Sequence, residues 1–236
     1  MRPLVISHAA CGGHAPENTL AGIRKAIEIG SDAIEIDVQA TADGVPVLMH
    51  DLTVDRTTNG SGAVAELSLK ELRALDAGGE PPPTLLEVLA ETKGRVLLVM
   101  EIKQPGIEQA VASVVREAEA LSDVMAWSFF PQALEGVRAA EPLVPCALLV
   151  GPELLPKWPA PAQTALRLGL QGVSAYHAGV AQELQRDCRR AGLALYCWTA
   201  DSRREMARLA GLGVDGICTN YPDRALQVLT GEAGGG

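Results

Sequence analysis

Short apolar runs alternate with amphipathic stretches from one end of the chain to the other. Runs rich in Val, Ile and Leu predict strands over Leu4 to Ser7, Ala33 to Val38, Arg95 to Glu101, Val124 to Ser128, Val144 to Val150, Gly172 to Tyr176, Leu193 to Trp198 and Val214 to Cys218. Apolar residues recurring at helical spacing predict helices over Asn18 to Ile29, Thr84 to Glu91, Ile107 to Leu121, Pro131 to Ala140, Thr164 to Leu168, Ala181 to Ala191, Ser202 to Leu209 and Pro222 to Leu229. Pro131 opens one of these helices, where its missing N–H removes no helical bond, and Gly192 closes another as a left-handed cap.

Eight strand–helix units run in strict order once an additional extended run is set aside: Val45 to His50, entered through the turn Asp43-Gly44. Such alternation implies a parallel sheet. Eight units in 236 residues fit a closed (β/α)8 TIM barrel better than an open doubly wound sheet, and no Gly-rich dinucleotide fingerprint follows the first strand. The stretch from Asp51 to Pro83 is rich in Gly, Thr and Pro and weak in periodicity. It reads as a small insertion over the barrel mouth. The expectation is an α/β chain with one barrel over residues 1–230, an insertion over 51–83 and a disordered tail over 231–236.

The formal net charge of −9 removes the electrostatic footprint of a nucleic-acid binder and any attraction to anionic membranes. If such a chain handles phosphate, the positive charge must be local or come from a metal. The five cysteines, Cys11, Cys146, Cys188, Cys197 and Cys218, include no CxxC pair. This argues against disulfides and a zinc site, and for a reducing, cytoplasmic setting. No leader segment is visible ahead of the first strand, and no apolar run is long enough to span a bilayer, so stable membrane insertion is not expected. With 3% aromatic residues, no aromatic stripe marks a partner surface, and the oligomeric state leaves no signature.

The segment Ile34-Glu35-Ile36-Asp37-Val38 carries the most chemistry. Strand alternation puts Glu35 and Asp37 on one face and the three aliphatic residues on the other. Both faces of a parallel barrel strand are covered, so two inward carboxylates are very costly unless a positive group meets them. Met100-Glu101-Ile102-Lys103 repeats the pattern and brings a third carboxylate and a cation to the same rim. Three carboxylates without paired Cys or His ligands suit a hard cation, Mg²⁺ or Ca²⁺; the competing reading is a buried Lys103–Glu101 ion pair without metal. His8 closes the first strand and His50 closes the additional extended run. Imidazoles titrate near neutrality, so one can accept a proton while the other donates one.

Taken in order, His8, Ala15-Pro16-Glu17-Asn18-Thr19, Glu35-Ile36-Asp37, His50-Asp51, Arg56-Thr57-Thr58-Asn59-Gly60 and Glu101-Ile102-Lys103 resemble the glycerophosphodiester phosphodiesterase family. The likeness continues through Trp127-Ser128-Phe129, Cys197-Trp198-Thr199 and the run from Asp215 to Asp223, and so spans nearly the whole chain. The resemblance implies a TIM barrel with a small insertion after His50. It implies a divalent metal on Glu35, Asp37 and Glu101, an acid–base pair of His8 and His50, and phosphate contact by Lys103. It implies cleavage of a small-molecule glycerophosphodiester to sn-glycerol 3-phosphate and an alcohol. Glu17 and Trp198 join the substrate-binding set, Trp198 against the glycerol carbons.

One departure stands out. Where the family reads His-Arg-Gly, this chain reads His8-Ala9-Ala10, so a bidentate phosphate clamp is missing. Three outcomes remain open: a replacement cation, either Arg56 or protonated His14; a different preferred diester; or weak activity. Two alternatives to the hydrolase follow. One is a lyase or phospholipase D-like variant acting on lysophospholipids, which needs an apolar groove that Pro81-Pro82-Pro83 does not announce. The other is a non-catalytic binder of phosphorylated ligands.

Overall fold

Parallel strands close on themselves in the computed structural model, which describes residues 2–231. The chain runs β1 (Leu4–Ser7), α1 (Leu20–Ile29), β2 (Ala33–Ala40), β3 (Pro46–Leu48), α2 (Leu69–Leu72), α3 (Leu85–Thr92), β4 (Leu97–Ile102), α4 (Glu108–Glu117), β5 (Val124–Ser128), α5 (Pro131–Ala140), β6 (Cys146–Val150), α6 (Ala160–Arg167), β7 (Gly172–Tyr176), α7 (Gln182–Ala191), β8 (Ala194–Trp198), α8 (Arg203–Leu212), β9 (Gly216–Thr219) and α9 (Pro222–Thr230). Hydrogen bonding follows the order β1-β9-β8-β7-β6-β5-β4-β2, and β1 pairs back to β2. This is a TIM barrel. β3 stands outside the ring and pairs antiparallel with β2, with Val38 opposite Leu48.

Two apolar layers follow from the period of the strands. Ile34, Ile36 and Val38 of β2 belong to the core between barrel and helices, together with Ile23 of α1 and Val88 of α3. Each such side chain, fully removed from water, contributes about 1.5–3 kcal/mol. The opposite face of β2 points into the barrel. There Ala33 joins Ile6, Val99, Met125, Trp127 and Cys218 in a smaller cluster that fills the lumen. Glu35 and Asp37 continue this inward face, one and two steps nearer the strand's C-terminal end.

Helix starts follow their capping residues. Thr19 caps α1 by accepting from the Gly22 N–H, and Thr84 and Glu87 form a capping box at α3. Several predicted boundaries move for local reasons. α1 begins after Asn18 because Asn18 itself has φ +55°. α4 stops at Glu117, short of Leu121, because Glu119 turns into the left-handed region at φ +51°. α6 starts at Ala160, earlier than its apolar spacing suggested, with a proline in its first turn.

The stretch 51–83 is more ordered than its sequence suggests. Val54, Val64 and Leu72 pack with Val47 and Met49 into a satellite core. α2, only four residues long, was not anticipated; Ser68 and Glu71 close a capping box around it. Of the tail expected over 231–236, only Gly231 lies within the described residues.

Candidate active site

Strand register assembles the acids. Cα pairing sets Asp37 beside Glu101 and Glu35 beside Val99 across the β2–β4 ladder. The three carboxylates of Glu35, Asp37 and Glu101 offer oxygens that all lie within 4.8 Å of one another. Glu35 and Asp37 are buried, at 2% and 1% exposure. Burial, and then the nearby Asp37 and Glu101 charges, push the Glu35 carboxyl well above its ordinary range. Glu101 is raised as well, chiefly by burial and against the pull of Lys103.

Lys103, just beyond β4, lies 2.9 Å from Glu101 Oε1 and 3.2 Å from Asp37 Oδ1. Burial lowers its proton affinity, but the charges of Asp37 and Glu101 outweigh burial and leave its pKa raised. The ion pair weighed at the sequence level therefore exists, yet one lysine cannot neutralise three acids. Asp37 Oδ1 accepts no hydrogen bond of good geometry despite that lysine. A buried, crowded, under-neutralised oxygen cluster of this kind could hold a divalent metal ion.

The residues around the triad fix its shape. Asn18 grips Asp37 at two points: its Nδ2 donates to Asp37 Oδ2 at 2.7 Å, and its Oδ1 accepts from the Asp37 N–H at 3.0 Å. The turn after β1 passes through the left-handed region at Ala9 and Ala10, with φ +48° and +68°. That turn delivers the Ala9 N–H to Glu35 Oε2 at 2.9 Å.

His8 and His50 line one pocket of about 260 Å³ with Glu35, Glu101, Lys103, Trp127, Phe129 and Trp198. Each imidazole is held through Nδ1. His8 meets Asn220 Oδ1 at 2.9 Å, and His50 meets Asp51 Oδ1 at 2.7 Å. Asn220 Nδ2 donates to Asp201 Oδ2, so its oxygen is the atom turned to His8. An amide oxygen and a carboxylate only accept, hence both histidines carry a proton on Nδ1 and leave Nε2 for the substrate. Behind His50, Arg56 closes a brace: Nε bonds Asp51 Oδ2 at 2.6 Å, and Nη1 and Nη2 fork onto Glu17 at 2.9 and 2.6 Å. The Arg56 and His50 hydrogen bonds hold the Asp51 carboxyl down at about 2. Trp198 donates its indole N–H to Ser174 O at 2.9 Å and packs edge-on against Phe129, which locks its ring in the pocket wall.

Six of the eight expected site residues thus line this pocket. Asp37 is buried outside the lining, 3.2 Å from Lys103, and Glu17 stands in an adjoining polar recess with His8, His50, Arg56, Gly12, Gly13 and Asn220. The candidate replacement cations are otherwise engaged. Arg56 has its fork on Glu17 and its flank on Asp51, and His14 Nε2 lies 2.7 Å from Asp223 Oδ1. Asn18, Asp201 and Asn220 were given no role in the sequence. The signal for Asp201 and Asn220 was their position: both follow the C-terminal ends of strands on the active rim. An apolar cleft, unannounced by the Pro-rich stretch, opens beside His50 and Lys103 between Leu52 and Phe130.

A closed barrel with acids, lysine and paired imidazoles at its C-terminal rim defines a TIM-barrel enzyme. The model of the glycerophosphoryl diester phosphodiesterase family matches residues 8–224, and the chain belongs to that family. A glycerophosphodiester phosphodiesterase of Caldanaerobacter subterraneus subsp. tengcongensis is 36% identical over 97% of this chain and 98% of its own. Among solved structures, a putative glycerophosphoryl diester phosphodiesterase from Silicibacter pomeroyi superposes with a TM-score of 0.91 at 28% identity, covering 98% of this chain and 94% of that one. An Oleispira antarctica phosphodiesterase, solved in complex with the product sn-glycerol-3-phosphate, superposes with a TM-score of 0.87 at 28% identity over 97% of each chain. Among the described residues, no helix is long and apolar enough to cross a membrane.

Proposed function

We propose that this chain hydrolyses small-molecule glycerophosphodiesters to sn-glycerol 3-phosphate and an alcohol. Glu35, Asp37 and Glu101 hold one Mg²⁺ or Ca²⁺, and His8 and His50 serve as the acid–base pair. The observation that carries this reading is the pair of Nδ1-anchored imidazoles lining one pocket with the acidic cluster. The sn-glycerol-3-phosphate bound by the Oleispira antarctica relative supports the glycerol arm.

The donor set fits a hard divalent ion: carboxylate oxygens only, with one of them, Asp37 Oδ1, left without a hydrogen bond. Bound there, such an ion polarises the phosphoryl oxygens and offsets the charge that develops on them. Lys103, kept protonated by its carboxylate neighbours, adds the second positive charge at the phosphate. One histidine Nε2 takes the proton from the nucleophile, either the glycerol's neighbouring hydroxyl or water. The other gives a proton to the departing alkoxide. Trp198 flanks the glycerol carbons. Glu17 acts through Arg56, bracing the Asp51 that orients His50. Five free, buried cysteines agree with a reducing, cytoplasmic setting.

Turnover of glycerophosphocholine with and without a chelator tests the reading. Chelation is expected to stop release of sn-glycerol 3-phosphate, and added Mg²⁺ or Ca²⁺ to restore it. Turnover indifferent to chelation removes the metal from the mechanism.

The brace makes a second prediction. Asp51→Asn keeps the shape but removes the charge that holds both Arg56 and His50. A fall in kcat of about 10-fold to 100-fold with KM nearly unchanged is expected, the loss typical of an orienting partner. Steady-state kinetics decide it: a change in KM alone places Asp51 on substrate binding instead.

A further inference from the structure

Two spaces meet at the reacting centre, the outer one the more apolar. The inner one is the pocket of about 260 Å³ within the barrel mouth. Trp127 lines it at 1% exposure, and its indole N–H has no acceptor among the described residues. The polar groups of this pocket come instead from His8, Glu35, Glu101, Lys103 and Thr199, which suit a hydroxyl-bearing arm. The outer space is the cleft of about 840 Å³ that shares His50, Glu101, Lys103 and Phe129 with the inner pocket. Leu52, in the stretch after β3, forms one of its sides, and Phe129 and Phe130, between β5 and α5, form the other.

The walls of the cleft are unusual for this chain. Its only two phenylalanines are both there. Leu52 is 65% exposed and Phe130 43% exposed, two of the few large apolar side chains left to water. The two carboxylates in its lining are already committed, Asp51 to Arg56 and His50 and Glu101 to Lys103 and the acidic cluster. A cationic alcohol therefore finds no free counter-charge in the cleft, whereas a hydrocarbon finds apolar surface on two sides. Because the cleft is continuous with the reacting centre, its occupant arrives tethered to the phosphate.

We infer that the outer cleft is the subsite for the departing alcohol, and that it selects glycerophosphodiesters whose alcohol carries an apolar chain, while the hydroxyl-bearing glycerol arm enters the inner pocket. This inference rests on the phosphodiesterase reading above and extends it to the leaving group.

The test compares the octyl ester of sn-glycerol 3-phosphate, glycerophosphocholine and lysophosphatidylcholine, each below its aggregation concentration, by release of sn-glycerol 3-phosphate or free choline. For the wild-type protein, kcat/KM for the octyl ester is expected to exceed that for glycerophosphocholine by about 10-fold or more, since a few buried methylenes suffice for that ratio. Leu52→Ser and Phe130→Ser are each expected to lower kcat/KM for the octyl ester about 10-fold and to change that for glycerophosphocholine less than 2-fold, since neither adds a charge for choline. Both side chains are exposed, and thermal melts of the variants verify the fold. Preference for the choline ester overturns the inference, as does equal loss on both substrates in the variants. Lysophosphatidylcholine as the best substrate also overturns it, because its chain rides on the glycerol arm. Glycerophosphocholine turned over without any octyl preference defeats the cleft assignment alone. No turnover of any ester defeats the phosphodiesterase reading and the cleft with it.

Discussion

Glu35→Gln is expected to abolish metal-supported turnover while making the metal-free protein more stable. The two effects share one cause. The buried carboxylates of Glu35 and Asp37 and the partly buried one of Glu101 converge on a space that one lysine only partly neutralises, so each removed charge relieves repulsion in the absence of an ion. A glutamine at this position retains an oxygen for the Ala9 N–H and keeps the volume. Relief of about 1–2 kcal/mol corresponds to a rise in Tm of several degrees for a chain of this size.

The pH dependence carries the sign. In the folded protein the Glu35 carboxyl lies well above its ordinary value of 4.5, so protonation favours the native state. The Glu35 contribution to metal-free stability is therefore fully present below that ordinary value and is lost as the pH climbs past it toward the raised folded value. A bound divalent ion takes the place of the proton, so the ion-induced rise in Tm should grow as the pH rises. Calorimetry with chelator or Mg²⁺ across the acid-to-neutral range measures both slopes. Glu35→Gln should flatten the metal-free slope and shrink the ion-induced shift. An unchanged slope, or an undiminished shift, contradicts the assignment of Glu35.

Replacing either imidazole is the second large effect. His8→Gln and His50→Gln are each expected to lower kcat by about 10²–10⁴-fold, the range that general acid–base groups supply. Neither side chain lies in the apolar core, so Tm should barely move. The two losses should not add, because a proton taken without one given leaves the reaction incomplete either way; the double variant is expected close to the worse single one. The pH–rate profile gives the sharper readout. Each variant should lose one limb of a bell, and which limb disappears assigns acid and base. A variant that keeps both limbs at reduced height marks its histidine as a contact to substrate instead.

The barrel was legible because β/α alternation is a strong, repeated signal, and Ile34, Ile36 and Val38 could not share a face with Glu35 and Asp37 in any strand. The acids were legible for the same reason: a carboxylate at an inward position demands an explanation. The bracing was not. Asn18, Asp201 and Asn220 are small polar residues after strands and in turns, a setting in which such residues commonly serve the backbone, and only the closed ring brings Asn220 to His8. Arg56 looked free to meet phosphate because sequence spacing does not reveal that Glu17 and Asp51 flank it. α2 escaped notice because four residues are too few to show a period.

The clamp on His8 joins opposite ends of the chain. Its anchor, Asn220, directly follows β9, the strand that hydrogen-bonds β1, and is itself held by Asp201. The acids, by contrast, come from β2 and β4 alone. Two neighbouring strands thus suffice to bring the three carboxylates together, whereas the contact that orients His8 needs both ends of the sheet order to meet. The His8 imidazole is therefore oriented only in the fully closed ring, so loosening the β1–β9 seam would disturb it while leaving the pairing of β2 with β4 intact.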